Sequence, residues 1–296
     1  MNRFRVWVLA ARPRTLTAAA APVILGTGLA VARDAHRLGP ALAALLGALL
    51  IQVGTNLAND YYDHVRGGDT PERIGPLRVT QAGLLSPRTV RNGAFQVLGA
   101  ALVVGIYLAW VGGWPIVVVG LASLACAVAY TGGPFPLAYH GLGDLFVFVF
   151  FGLVAVGGTY WVQALDLNAE VLLAGAGMGA LATAILVVNN LRDLDTDRRA
   201  GKRTLAVRLG RSRTKGEFVL LLAAGFAVPP VGVAFHGWPP LALAALLAAL
   251  PLVGAVPPVM AASPSTDPAA LIPSLGKTAL AAGLYGLLLG AALAVG

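Results

Sequence analysis

PALAALLGALLIQVGTNLANDYYD, Pro40 to Asp63, decides how this chain folds. Its first sixteen residues carry no charge, and Gln52 and Thr55 are their only strongly polar side chains. Its last eight, Asn56 to Asp63, hold two carboxylates and two carboxamides. An apolar stretch of this length reads as a helix crossing a bilayer, whose core needs about 20 such residues. Acidic and amide groups at the end of such a helix call for a chemical reason.

The whole chain repeats the first half of that pattern. Of its 296 residues, 57% are hydrophobic and 11% charged, against about 25% charged in an ordinary soluble domain. A soluble fold cannot hide that much apolar surface, so the chain reads as one polytopic, all-α membrane domain over residues 1–296. Nine apolar segments are predicted to span: 15–32, 39–60, 90–109, 113–130, 143–162, 169–190, 217–235, 239–260 and 275–295. Gly and Pro interrupt several of them, which is tolerated where neighbouring helices or a cavity satisfy the freed backbone groups.

The formal charge is +8, and its distribution orients the chain. With nine spans, 19 of the 21 basic residues fall on the side of the N-terminus, leaving only Arg33 and Arg37 opposite. The positive-inside rule then puts the N-terminus in the cytoplasm and the C-terminus outside, in a multi-pass cell-membrane protein. Because these charges flank hydrophobic spans, a basic nucleic-acid-binding protein is excluded. The N-terminal stretch resembles a signal peptide, but eight further spans follow it, so it is expected to serve as an uncleaved anchor. Cys126, the single cysteine, rules out an intramolecular disulfide and reads as a small buried hydrophobe.

Seven of the 13 acidic residues form two clusters: Asp60, Asp63, Asp69 and Glu72, then Asp193, Asp195 and Asp197. Both begin at the cytoplasmic end of an even-numbered span, in regions 56–81 and 189–210. On a helix Asn56, Asp60 and Asp63 share one stripe, as do Asn190, Asp193 and Asp197. Asp195 points away from its neighbours and is expected to be solvated or paired with an arginine. Acids at helix C-termini oppose the macrodipole, so something cationic should offset them. The available ligands are nearly all oxygen, the set preferred by Mg²⁺, which takes one or two carboxylates together with waters and substrate phosphates. Two facing stripes therefore suggest two Mg²⁺ half-sites sharing a diphosphate, with Arg78, Lys202 and Arg203 as the cations best suited to phosphate oxygens. An apolar helix ending in such a head-group clamp fits a substrate with an apolar tail and a polyphosphate head.

These residues carry a family resemblance. NDYYD with GGDT (Asn59 to Asp63, Gly67 to Thr70) and NNLRDLDTDRRAGKRTLAVRLG (Asn189 to Gly210) resemble the UbiA-type intramembrane prenyltransferases, in particular the branch acting on 1,4-dihydroxy-2-naphthoate. ARPRTLTAAAAPVILG (Ala11 to Gly26), GPLRVTQAGLLSP (Gly75 to Pro87) and YTGGPFPLAYHGLGDLFVFVFFG (Tyr130 to Gly152) add to it, while the likeness fades after residue 210. The resemblance implies a ring-like bundle of about nine transmembrane helices around a central cavity. It implies Mg²⁺-dependent prenyl transfer from a polyprenyl diphosphate to 1,4-dihydroxy-2-naphthoate, as in menaquinone biosynthesis. Asp60, Asp63, Asp193 and Asp197 match the metal motifs, with Asp69 a further candidate ligand. Asn56, Asn59, Arg78, Gln81, Tyr130, Asn189, Asn190, Arg192, Lys202 and Arg203 are the expected substrate-binding residues. One departure stands out: many members have Tyr and Lys in the loop after the fourth span, whereas this chain has Tyr130 and Pro134.

In the implied reaction, Mg²⁺ and arginines stabilise charge on the departing diphosphate. Aromatic faces can line a dry pocket for the allylic cation, and Tyr61, Tyr62, Phe135, Tyr139, Phe146, Phe148 and Phe150 are available, most of them as ordinary packing. The acceptor carbon attacks and its carboxylate leaves as CO₂. His64 and His140 are candidate bases. Other aromatic acceptors, such as 4-hydroxybenzoate, homogentisate or a chlorin, are the alternatives within the family. A CDP-alcohol phosphatidyltransferase would need a DG-x₂-AR…G-x₃-D-x₃-D run, which is absent. An ion-coupled transporter is the non-enzyme alternative, but it would place acids near the bilayer midplane rather than at one rim.

Overall fold

The computed structural model describes residues 2–67, 75 and 77–296. Asp69, Glu72 and Arg73 therefore lie outside the described residues. Helix α1 (Arg3–Ala11) ends where Arg12 turns left-handed (φ 52°) before Pro13, and a short 3₁₀ turn leads into α2 (Leu16–Ala32). Then come α3 (Leu38–Val65), α4 (Pro87–Gly112) and α5 (Trp114–Ala129). A loop with a 3₁₀ turn at Leu137–His140 precedes α6 (Gly143–Val147), which runs through a π-helical segment, Phe148–Val154, into α7 (Ala155–Ala164). The chain continues as α8 (Ala169–Arg199), α9 (Leu205–Phe235), a 3₁₀ helix at Pro240–Gly254, α10 (Val256–Ala261) and α11 (Ile272–Val295).

Local chemistry sets several of these boundaries. Ser86 caps α4 by accepting from Thr89 N–H at 3.2 Å, with Pro87 at the first helical position, where its missing donor costs nothing. Asn168 caps α8 through Val171 N–H (3.1 Å) with Glu170 in the first turn, the acid's favoured end of a helix dipole.

Among the described residues, seven helical stretches are long and apolar enough to cross a membrane. The predicted fourth and eighth spans coincide with two shorter apolar helices, Trp114–Ala129 and Pro240–Gly254. The second of these is bounded and interrupted by Pro239, Pro240 and Pro251 and winds as a 3₁₀ helix. At roughly 2.0 Å rise per residue, that tighter winding carries fifteen residues about 30 Å, where an α-helix would reach only about 22 Å.

The helices close into a ring. Packing runs from α2 through α3 and α4 to α5, and from α8 through α9 and the long 3₁₀ helix to α11, which returns to α2; the π segment and α7 bridge to α8 and α2. Between lipid tails and apolar side chains there is little hydrophobic driving force, so such contacts depend on close backbone approach at small residues. At Gly28 a Cβ would stand 2.2 Å from the Gly290 carbonyl oxygen, and at Gly152 it would stand 2.5 Å from that of Gly175. The ring is not uniform. Helix α8 is the most enclosed, with 72% of its most apolar stretch buried, whereas in α4 only 17% is and the rest faces outward. The dense core gathers on the α8, α9 and α11 side, leaving open space on the α3, α4 and α5 side.

Candidate active site

Helix α3 continues without a break to Val65, so its predicted stripe forms: Asn56, Asp60 and Asp63 are 4%, 1% and 3% exposed. Asn56 ties the N-terminal segment to α3, donating to the Ala11 carbonyl and to Thr15 Oγ1, each at 2.9 Å. Asn59 accepts from Thr131 Oγ1 at 2.8 Å. The two oxygens of Asp60 accept from the backbone N–H groups of Val79 (3.0 Å) and Thr80 (3.1 Å). That pins the segment after Leu77 beneath α3 and delivers Arg78 to Asp63, 2.7 Å away and 6% exposed. The other Asp63 oxygen accepts from Tyr139 Oη at 3.0 Å.

The second motif forms on the last turns of α8. Asn190 and Arg192 are buried, and Arg192 grips Asp193 with two prongs, Nε at 2.7 Å and Nη2 at 2.6 Å, while Nη2 also donates to Asn189 (2.9 Å). Asp195 faces away, half-exposed and bonded to Arg211, as its helical position predicts. Asp197 has Lys202 Nζ at 3.9 Å, and its backbone carbonyl accepts from Lys202 N–H (2.8 Å), which folds the chain back after the helix.

Tyr139 joins the two halves. Its hydroxyl reaches Asp63, its ring lies 5.2 Å from Lys202 Nζ, and its backbone carbonyl accepts from Arg203 N–H at 3.1 Å. Lys202 is within electrostatic reach of Asp63, and Tyr130 within reach of Asp63, Asp197 and Asp144. The loop that has Pro134 instead of a lysine thus still meets a cation, supplied by Lys202 from the second motif.

Other expected residues are placed differently. Arg203 contributes its backbone, and its side chain is exposed, as is that of Gln81. His140 bonds the Pro136 carbonyl (2.9 Å) and stacks on Phe135, so it serves the loop. Tyr61 and Tyr62 pack edge to face. Asp144 escaped the sequence reading. It opens α6, is 6% exposed, and its Oδ2 has no hydrogen-bond partner among the described residues. A signal was present: between Arg91 and Asp166 it is the only Asp, Glu, Lys or Arg.

Below the acids opens a cavity of about 520 Å³. Asn56, Asn59 and Tyr130 stand at its polar end, and Phe146, Phe150 and Val154 form part of its wall. It follows α3 from Ala44 to Asn59, about 22 Å at 1.5 Å per residue, most of the roughly 30 Å hydrocarbon core. It lies between α2 to α5 and the π–α7 segment, so the central cavity is displaced to one side of the ring. Of the seven aromatic candidates, Phe146 and Phe150 line it, stacked at 5.9 Å.

Among the described residues no three His, Cys, Asp or Glu side chains converge on one point, so no protein-only metal cage exists there. The donor set still fits Mg²⁺ shared with a ligand's phosphates, which needs only one or two carboxylates per ion. Arg192 Nη1 is buried without a partner among the described residues, and such a donor suits an anionic oxygen.

Residues 19–280 match the UbiA prenyltransferase family. A Mycobacterium tuberculosis protein named 1,4-dihydroxy-2-naphthoate octaprenyltransferase is 42% identical over 296 residues, spanning 100% of this chain and 99% of its own. The likeness therefore does not stop near residue 210; it continues through the Ala- and Leu-rich C-terminal third, where short motifs are hard to see. Two solved structures share the fold. A UbiA homologue from Aeropyrum pernix superposes with a TM-score of 0.70 at 18% identity, covering 91% of this chain and 95% of that one. One from Archaeoglobus fulgidus, bound to GPP and Mg²⁺, has a TM-score of 0.64 at 16% identity, covering 95% and 99%.

Proposed function

The chain belongs to the UbiA prenyltransferase family, and on that premise we propose how it works: it transfers a polyprenyl group from a polyprenyl diphosphate to 1,4-dihydroxy-2-naphthoate, with loss of diphosphate and CO₂, in menaquinone biosynthesis. The observation that carries this reading is the joining of two unlike compartments. An apolar cavity about 22 Å long, with no charged residue in its lining, ends at Asn56, Asn59 and Tyr130. The first two lie one turn before Asp60 and Asp63 on α3, and Tyr130 is within electrostatic reach of Asp63 and Asp197. A tailed diphosphate matches both compartments at once.

Asp60, Asp63, Asp193 and Asp197 would hold Mg²⁺, as the bound Mg²⁺ in the Archaeoglobus fulgidus homologue suggests. The metal supplies Lewis-acid stabilisation of charge on the leaving diphosphate. Arg78 and Lys202 add hydrogen bonds and positive charge where that charge develops, the form of help that is worth most in a water-poor site. Phe146 and Phe150 offer π-faces beside the allylic carbon and help exclude water. Arg192, already holding Asn189 and Asp193, has a donor left for an anionic oxygen of either substrate. Asn56 positions the α1–α2 junction against α3 rather than facing substrate alone. The partition of basic residues supports a rim that opens to the cytoplasm.

The test follows a carboxylate. In this reaction the attacked ring carbon is the one that bears it, so acceptor labelled there with ¹³C should release labelled CO₂ in step with prenylated product. A product that kept the label would exclude the reaction and favour a 4-hydroxybenzoate type, in which the carboxylate survives.

A further inference from the structure

In this structure the four aspartates of the rim are not bare. Asp60 takes two backbone N–H groups, Asp63 takes Arg78 and Tyr139, Asp193 takes both prongs of Arg192, and Asp197 has Lys202 at 3.9 Å. A divalent cation arriving alone would meet carboxylates already engaged by this chain, three of the four by a cation. We propose that Lys202 is an exchangeable counter-ion: it neutralises Asp197 while the rim is empty and transfers to a phosphate oxygen when metal and diphosphate bind together. The inference rests on the reading that this rim binds a metal diphosphate.

Among the cations paired with these aspartates, the geometry singles out Lys202. Arg192 and Asp193 are neighbours on one helix, joined by two short bonds, with the guanidinium only 1% exposed. Arg78 is held in a segment that Asp60 fastens. Lys202, in contrast, sits in the turn beyond α8, 20% exposed, and its ammonium is beyond hydrogen-bond distance of Asp197. Its backbone is tied down by the bond to the Asp197 carbonyl, so only the flexible four-carbon stem has to move. The ammonium lies over the Tyr139 ring, whose hydroxyl reaches Asp63. It therefore stands between the two half-sites, and a short swing takes it from carboxylate to a shared diphosphate. No bond is made or broken; one ion pair is exchanged for another.

Synergy between metal and diphosphate would not prove this, because the two attract each other directly. The sign of a single substitution does. Lys202→Gln removes the charge that competes with metal at Asp197, and it also removes a cation from the diphosphate. Mn²⁺ binding alone, read by loss of its free EPR signal in purified full-length protein, should tighten about two- to fivefold, the scale of a loose, partly exposed ion pair. Binding of geranyl thiodiphosphate at saturating Mn²⁺, read by calorimetry, should weaken roughly tenfold or more, as expected for a lost charge-assisted bond. Lys202→Arg keeps the charge and should leave Mn²⁺ binding at the wild-type value, which also checks that the turn tolerates substitution. If Lys202→Gln binds Mn²⁺ alone no more tightly than wild type, the exchange is refuted while the diphosphate site stands. Should wild-type protein fail to bind the thiodiphosphate with Mn²⁺, the proposed function itself falls.

Discussion

Asp60→Asn separates the two tasks this structure gives to one carboxylate. Both Asp60 oxygens accept backbone N–H groups, from Val79 at 3.0 Å and Thr80 at 3.1 Å, in a position only 1% exposed. Asparagine fills the same space but offers one acceptor oxygen, and its NH₂ must then face the other N–H. One charge-assisted bond is lost, a buried N–H is stranded, and the surviving bond becomes neutral. Hydrogen bonds to charged groups contribute about 1.5–3 kcal/mol, and a stranded buried donor costs about 1–3 kcal/mol, partly the same energy, so the segment around Arg78 should loosen by about 2–4 kcal/mol. At 1.4 kcal/mol per tenfold, local opening should rise roughly 30- to 700-fold. Hydrogen exchange followed by mass spectrometry on peptides covering Val79 and Thr80, in detergent or nanodiscs, would read it directly. Asp63→Asn is the control, because its partners are the side chains of Arg78 and Tyr139, and it should leave those two amides protected. Both variants should lose prenyl transfer by orders of magnitude. If Asp60→Asn abolished activity with exchange at Val79 and Thr80 unchanged, the anchoring role would be wrong and Asp60 would act through its ligand alone.

Three further outcomes are expected. Asp193→Asn should cost orders of magnitude in turnover whereas Asp195→Asn stays within a few-fold of wild type, because Asp195 is half-exposed and bonded to Arg211 away from the rim; steady-state rates of the two variants decide it. Gly28→Ala should lower the thermal unfolding midpoint. Its Cβ would stand 2.2 Å from the Gly290 carbonyl, and α2 and α11 must part by about 1 Å to reach ordinary contact, an overpacking cost of about 1–3 kcal/mol. Gly99→Ala, with nothing within 4 Å, should instead hold or raise the midpoint, since a mid-helix glycine costs roughly 0.5–1 kcal/mol relative to alanine. A cysteine introduced at Ala200, in the turn after α8, should be shielded from an impermeant thiol reagent in intact cells and labelled once the membrane is opened; labelling from outside would invert the proposed topology.

Much of this protein follows from local sequence. A long apolar run has one stable conformation in hydrocarbon, the helix, because every backbone group must be satisfied internally. Helical spacing alone then puts Asn56, Asp60 and Asp63 on one face and turns Asp195 away from Asp193 and Asp197. The chemistry of the rim was legible for the same reason: clustered carboxylates at helix ends demand cations, whatever the fold around them.

What the sequence could not specify is which cation meets which acid. Arg192 lies next to Asp193 in the chain and pairs with it, but Asp63 draws Arg78 from fifteen residues away and Tyr139 from seventy-six. Asp60 holds backbone, which no side-chain pattern reports. Tyr139, read as one aromatic among seven, becomes the link between the two motifs only because the loop after α5 folds against the turn after α8. The displaced cavity has a similar origin: small residues let α2 meet α11, and the π segment meet α8, almost backbone to backbone. That close packing concentrates mass on one side of the ring and leaves space on the other. Hydrophobicity and helical period act along the chain and can be read from it; pairing across the ring depends on how closely backbones approach, which only the folded structure decides.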